Sequence, residues 1–137
     1  MDPFWLAGFV DAEGCFYVKI INNRSLKCKF QLSFSISQHS RNSTLMNHIS
    51  FYLKWRLIEK AQTRKEARFV VYKFNDHLNY IIPFFTKYNL LSVKRWDFHY
   101  FRTIANVINE KKDLTEEDIS NIKMLKFNMN KNRIDYS

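Results

Sequence analysis

The sequence predicts an α+β domain in which four antiparallel strands carry helices on one face and leave the other face open and basic. Three observations predict it. The hydrophobic pattern runs helix, strand, strand, helix, strand, strand and then helices, with a period of two taking over from Cys15. The cleanest strand puts Cys28, Phe30, Leu32, Phe34 and Ile36 on one side, with Lys27, Lys29, Gln31, Ser33, Ser35 and Ser37 on the other. The chain is also basic: 22 Lys plus Arg against 13 Asp plus Glu give a formal charge of +9. Such an excess expects an acidic partner, most often nucleic acid and sometimes an anionic membrane surface.

The elements follow in order. Asp2 caps a first helix, Pro3 fits its first turn, and the apolar run from Phe4 to Glu13 ends at Gly14, placed where a helix C-terminus takes a left-handed residue. A helix apolar on nearly all sides expects to be buried on nearly all sides. Phe16, Val18 and Ile20 then alternate with Tyr17, Lys19 and Ile21, and Asn22 to Ser25 turns the chain into the second strand. A second helix is expected over 42–55 and further strands over 57–64 and 68–74, joined at Lys65-Glu66-Ala67. Asn75-Asp76 starts a helix to Lys87, although Pro83 falls inside it at the expense of a hydrogen bond. A longer helix covers 92–109, a charged linker follows, and Thr115 with Asp118 makes a capping box for a last helix to Met129. The chain of 137 residues reads as one domain: 1–14 the first helix, 15–74 the sheet with its intervening helix, 75–129 the C-terminal helices and 130–137 a polar tail.

Composition narrows the classes. An aromatic share of 17%, with 13 Phe and 7 Tyr, excludes a disordered tail. No apolar run approaches the ~20 residues that a bilayer requires, so no membrane partner is expected. The first helix has neither the basic leader nor the cleavage site of a secretory signal. Two cysteines suit a reducing compartment, and the load of Phe, Ile, Asn, Lys and Tyr points to an A/T-rich genome, with a mitochondrial origin expected. There are only two glycines, Gly8 and Gly14, where usage of about 7% would supply roughly ten. Placing both together implies a specific use.

Asp11 and Glu13 close that apolar helix at its negative end, which disfavours acids. Two readings stand. In one, Asp11 bonds backbone amides and Glu13 is solvated; in the other, a hard divalent cation such as Mg²⁺ offsets the repulsion and the dipole. His39, His48, His77 and His99 have no paired metal spacing, Cys15 and Cys28 read as buried free thiols, and Trp5, Trp55 and Trp96 as core or interface residues.

Leu6-Ala7-Gly8-Phe9-Val10-Asp11-Ala12-Glu13-Gly14 resembles the LAGLIDADG signature of homing endonucleases and their maturase relatives. Ser37-Gln38 closing the second strand, Val93-Lys94-Arg95 where relatives often carry Thr-Lys-Lys, and the ending Lys126-Phe127-Asn128-Met129-Asn130 are similar to the family as well. The resemblance implies an αββαββα fold with a saddle-shaped sheet whose basic face lies in a DNA groove. It implies a dimer of signature helices, each chain being either a single-motif protein or one half of a two-motif protein. Carried over residue by residue, it makes Glu13 and the carbonyl of Ala12 ligands of Mg²⁺, with Gln38 ordering solvent and Lys94 near the scissile phosphate. Asp11 would be structural. Phe4, Ala7, Gly8 and Asp11 would lie at the helix interface. Tyr17, Lys19, Asn23, Arg24, Lys27, Lys29, Gln31, Ser33, Ser35, Lys60, Gln62, Arg64 and Arg68 would face nucleic acid, DNA being favoured over RNA. The implied function is a site-specific endonuclease that cuts both DNA strands with Mg²⁺ and water. The alternative is an RNA-binding relative without catalysis, such as a maturase or a ribonucleoprotein subunit.

Overall fold

The computed structural model describes residues 2–22, 28–39, 58–60 and 66–129, so the helix expected over 42–55 and the tail lie outside the described residues. Helix α1 (Pro3–Glu13) begins as its sequence dictates, with Phe4 N donating to Asp2 Oδ1 at 2.8 Å. It passes without a loop into strand β1 (Gly14–Asn22). The left-handed turn expected at Gly14 is absent: its φ of −84° and ψ of 162° are extended, and its N–H bonds Val10 O. Glycine is needed there for space. A Cβ would stand 2.5 Å from Val10 Cγ1 and 2.9 Å from Val10 O.

β1 pairs antiparallel with β2 (Cys28–His39) from Gly14 opposite Ile36 to Asn22 opposite Cys28. β2 continues to His39, and this extra length gives partners to β4 (Glu66–Val71), from Phe34 opposite Val71 to His39 opposite Glu66. β4 therefore starts inside the expected turn and ends at Val71, short of the expected 74. β3 (Ile58–Lys60) pairs with the other side of β4, giving the order β1-β2-β4-β3 with β1 at an edge.

The alternation in β1 and β2 is realised. Phe16, Val18, Leu32, Phe34 and Ile36 are buried in the core, while Tyr17, Lys19, Ile21 and Lys29 are exposed on the opposite face. Ser35 corrects the expected open surface. It is only 7% exposed, because it sits mid-sheet between Cys15 and Val70, which shield so short a side chain. Phe16 is the hub of the core, with ring centroids of Phe34, Phe85, Phe98 and Phe101 at 5.0, 5.6, 5.4 and 5.3 Å. Fully burying one such ring contributes about 2–3 kcal/mol.

Helix α2 (74–87) reconciles Pro83 with helical geometry. Phe74–Asp76 is α, His77–Ile81 forms one wider π turn, and Ile82–Lys87 resumes α with Pro83 in its first turn. Widening the turn ahead of the proline relieves the clash and the missing donor. Helix α3 (Lys94–Glu110) buries Phe98, Phe101, Ile104 and Ala105. Helix α4 (Glu116–Asn128) has the expected capping box: Asp118 N donates to Thr115 Oγ1 at 3.1 Å and Thr115 N to Asp118 Oδ2 at 2.9 Å. Lys111 Nζ also donates to Asp118 Oδ1 at 2.6 Å, and these bonds hold that carboxyl down to about 2.

His77 is buried in the π turn, its Nε2 3.0 Å from Leu32 O and its buried Nδ1 without a hydrogen-bond partner among the described residues. Burial lowers its pKa from 6.5 to about 4. The unfolded chain therefore takes up the proton first. Stability should be full above pH 6.5 and fall by about 2–3 kcal/mol as pH drops toward 4. Urea unfolding at pH 7.5 and 4.5 should show this loss in the wild type and a much smaller one in His77→Gln. Asp118 loses its stabilising charge only below pH 3.8, outside this window.

Candidate metal centre and nucleic-acid face

The two acids at the end of α1 divide their work. Asp11 is held: its carboxylate accepts from Leu91 N at 2.9 and 3.1 Å, from Ser92 N at 3.0 Å and from Ser92 Oγ at 2.7 Å. This carboxylate closes the turn before α3, and Ser92 Oγ in turn accepts from Lys94 N at 3.2 Å. Lys94 is buried and its Nζ donates to Val10 O at 3.3 Å, placing a positive charge on the negative end of α1. Three donors on the carboxylate, with the Lys94 ammonium on Val10 O, thus offset the dipole penalty at Asp11.

Glu13 is exposed. With Asp11, Ala12, Cys15, Ser92 and Lys94 it lines an open depression of about 450 Å³. The Asp11 carboxylate in that lining is taken up by Leu91 and Ser92, and Val10 O and Asp11 O receive Gly14 N, Lys94 Nζ and Ser92 Oγ, so the Glu13 carboxylate is the side-chain ligand this lining offers a cation. Among the described residues no group of three or more His, Cys, Asp or Glu side chains gathers around a metal position. The donor set is hard but incomplete. It fits Mg²⁺, which binds through one or two carboxylates, keeps several waters and accepts phosphate oxygens.

Of the other expected site residues, Gln38 lies on β2 opposite Ala67, two positions beyond the residue that faces Gly14, which brings its backbone to the end of the sheet that α1 enters. Cys15 and Cys28 are not joined in a disulfide, and both are half-buried rather than fully buried.

The outward side of β1 and β2 is one continuous row, with Tyr17 opposite Ser33, Lys19 opposite Gln31 and Ile21 opposite Lys29. Arg68 lies on β4 opposite Ser37, and Lys60 on β3 opposite Ala67. Asn23, Arg24, Lys27, Gln62 and Arg64 lie outside the described residues. The sequence reading missed Lys126 of α4, whose Nζ stands 5.0 Å from the Tyr17 ring centroid. No local pattern in the sequence could reveal a contact between residues so far apart.

α1 is not buried all round. Leu6, Ala7 and Val10 face the core, whereas Phe4 is 70% and Trp5 46% exposed and Gly8 is open. Ala7, at 4% exposure, packs inside its own chain and does not join the outward face as expected. Asp11 is likewise turned to 91–92 rather than outward. Eleven residues give only three turns, and a face covered by the sheet leaves the remainder bare. Trp96, at the start of α3, is also exposed, which rules out the core half of its core-or-interface reading.

Asp11→Ala should therefore lower stability by about 2 kcal/mol, because it strands two backbone donors and a hydroxyl at a half-buried site. Asp11→Asn, which keeps one oxygen, should lose roughly half as much. Thermal or urea unfolding of the two variants beside the wild type measures this order.

Comparison with known proteins agrees with this geometry. The family model described as LAGLIDADG endonuclease matches residues 6–105. A Neurospora crassa protein named "Probable intron-encoded endonuclease 2" is 34% identical over 122 residues, covering 89% of this chain and 26% of the relative. A Podospora anserina protein named for ND4 intron 1 is 30% identical over 120 residues, covering 85% of this chain and 26% of the relative. The structure of the homing endonuclease I-SmaMI bound to cleaved DNA superposes with a TM-score of 0.89 at 37% identity, covering 96% of this chain and 45% of that one. The same relative is known bound to uncleaved DNA in the presence of calcium ions. The chain thus spans about a quarter of these intron-encoded relatives and a little under half of the structural one. With the family model matched over most of its length and the signature helix in place, the chain belongs to the LAGLIDADG endonuclease family.

Proposed function

We propose that this chain is one signature domain of a site-specific DNA endonuclease that cuts both strands with a divalent cation, Mg²⁺ by the chemistry of its donors. The observation that carries the reading is the pairing of exposed Glu13 with Lys94 in one depression, while Asp11 in the same lining is engaged by Leu91 and Ser92. Glu13 and the Ala12 carbonyl would hold the cation. When bound, it would polarise the phosphodiester and lower the pKa of an attacking water. Gln38 orders solvent at the same end of the sheet. Lys94 turns its ammonium from Val10 O toward the phosphate and offsets the negative charge that develops there. The outward row positions the duplex: Lys19 and Lys29 meet phosphates, and Gln31 reads a base edge. An RNA-binding role would leave the exposed Glu13 carboxylate, in one depression with Lys94, without a use.

One chain supplies one Glu13, and cutting two strands requires two. The bare face of α1, with Phe4, Trp5 and Gly8, packs against an equivalent helix from a second signature domain, in another copy or in a longer chain. The relatives' names, intron-encoded and ND4 intron, support a mitochondrial intron as the coding site.

Two experiments test this reading. Glu13→Gln should remove Mg²⁺-dependent cleavage of a bound target while DNA affinity and the unfolding midpoint stay within error, since an exposed ligand is lost and no packing. Cleavage at the wild-type rate would show that Glu13 is not the ligand. Gly8→Leu tests the partner. A Cβ at Gly8 meets nothing within 4 Å in this chain, so the variant should fold normally. Sedimentation should find dimers in the wild type and monomers in the variant.

A further inference from the structure

The outward surface of the sheet has a contributor that does not belong to the sheet. α4 packs from the inner side, with Ile122 fully buried and Met129, just past its end, also in the core. Lys126 lies four residues beyond Ile122 on the same stripe of the helix. β1 is the edge strand, so a long side chain from this stripe can reach around it. It does: the half-buried Lys126 sets its ammonium 5.0 Å from the centroid of Tyr17. Tyr17 is 45% exposed and belongs to the outward row with Lys19, Gln31 and Ser33.

We propose that Lys126 is a DNA phosphate-binding residue, held on the outward face by the Tyr17 ring, so that α4 extends the nucleic-acid footprint past the β1 edge. The inference rests on the nucleic-acid reading above and adds a residue and an element to it. The ring face attracts the ammonium, whose three N–H donors are the groups a phosphate would accept from. A lysine so held loses less side-chain freedom on meeting a phosphate than a free one. Lys19 stands two positions along β1 from Tyr17, about 7 Å away on the same face, so a second cation lies near the ring on the outward row.

The test is the salt dependence of binding to a mixed-sequence duplex, measured between about 50 and 200 mM salt. Lys126→Gln should reduce the slope of log affinity against log salt by about 0.9, shrinking the affinity ratio across that range about 3.5-fold, equally for every duplex. Lys126→Arg, which keeps the charge and the ring contact, should restore the slope. Tyr17→Leu combined with Lys126→Gln should lose no more slope than Lys126→Gln alone. An unchanged slope in Lys126→Gln with an unchanged unfolding midpoint would overturn the proposal, leaving Lys126 as a strap between helix and sheet. Should Lys126→Gln fail to fold, acetylation footprinting of the wild type decides: Lys126 protected by the duplex supports the proposal, and Lys126 equally reactive with and without duplex overturns it. A wild type with no salt-dependent duplex binding at all would instead remove the nucleic-acid reading itself, and this proposal with it.

Discussion

A carboxylate at the negative end of an apolar helix is unfavourable unless something pays for it, and at Asp11 the compensation comes from 80 residues away. Leu91 N, Ser92 N and Ser92 Oγ converge on its two oxygens, and Lys94 reaches Val10 O one residue earlier. The rest of the structure hangs on this knot. It ties the end of α1 to the start of α3, directs Phe98 and Phe101 onto Phe16, and brings Glu13 and Lys94 to one depression. Because Asp11 is fully used, Glu13 is left for the solvent side. Two acids only one residue apart thereby acquire different roles from environment alone.

The knot also explains the economy with glycine. Gly14 lets α1 run straight into β1 past Val10, whose carbonyl serves both Gly14 N and Lys94 Nζ. A methyl group there would push the strand from the helix and open the depression. Gly8 lies on the helix where, among the described residues, nothing comes within 4 Å of a Cβ. One glycine is therefore an internal requirement of the domain, and the other is not required by the domain's own packing.

Much of this was legible in the residues. Strict alternation from Cys15 to Ile36 fixed which side of the hairpin is buried, because a one-residue slip would have turned every phenylalanine outward. Asp2, Pro3, Thr115 and Asp118 announced their caps because capping is local chemistry. Non-local effects were not legible. The burial of Ser35 depends on Val70 across β4, and the extent of β4 depends on how far β2 runs. Gly14 was assigned its commonest use when its real constraint is the Val10 side chain four residues back. The apolar character of α1 overstated its burial, since composition cannot say which face the sheet will leave uncovered. For the site, resemblance led to Glu13 through the signature motif and to Lys94 through Val93-Lys94-Arg95. The spacing of the two acids alone could not say which was held by the protein, and nothing in sequence order linked Lys126 to Tyr17.

The central claim is this division between the two acids, and its most direct measurement is the position of a bound cation. A crystal of the chain with a DNA duplex and Mn²⁺, read by anomalous scattering, should place the metal within coordination distance of the Glu13 carboxylate and the Ala12 carbonyl, with Asp11 still bonded to Leu91 and Ser92. A metal ligated by Asp11, with its bonds to Leu91 and Ser92 broken, would contradict the account.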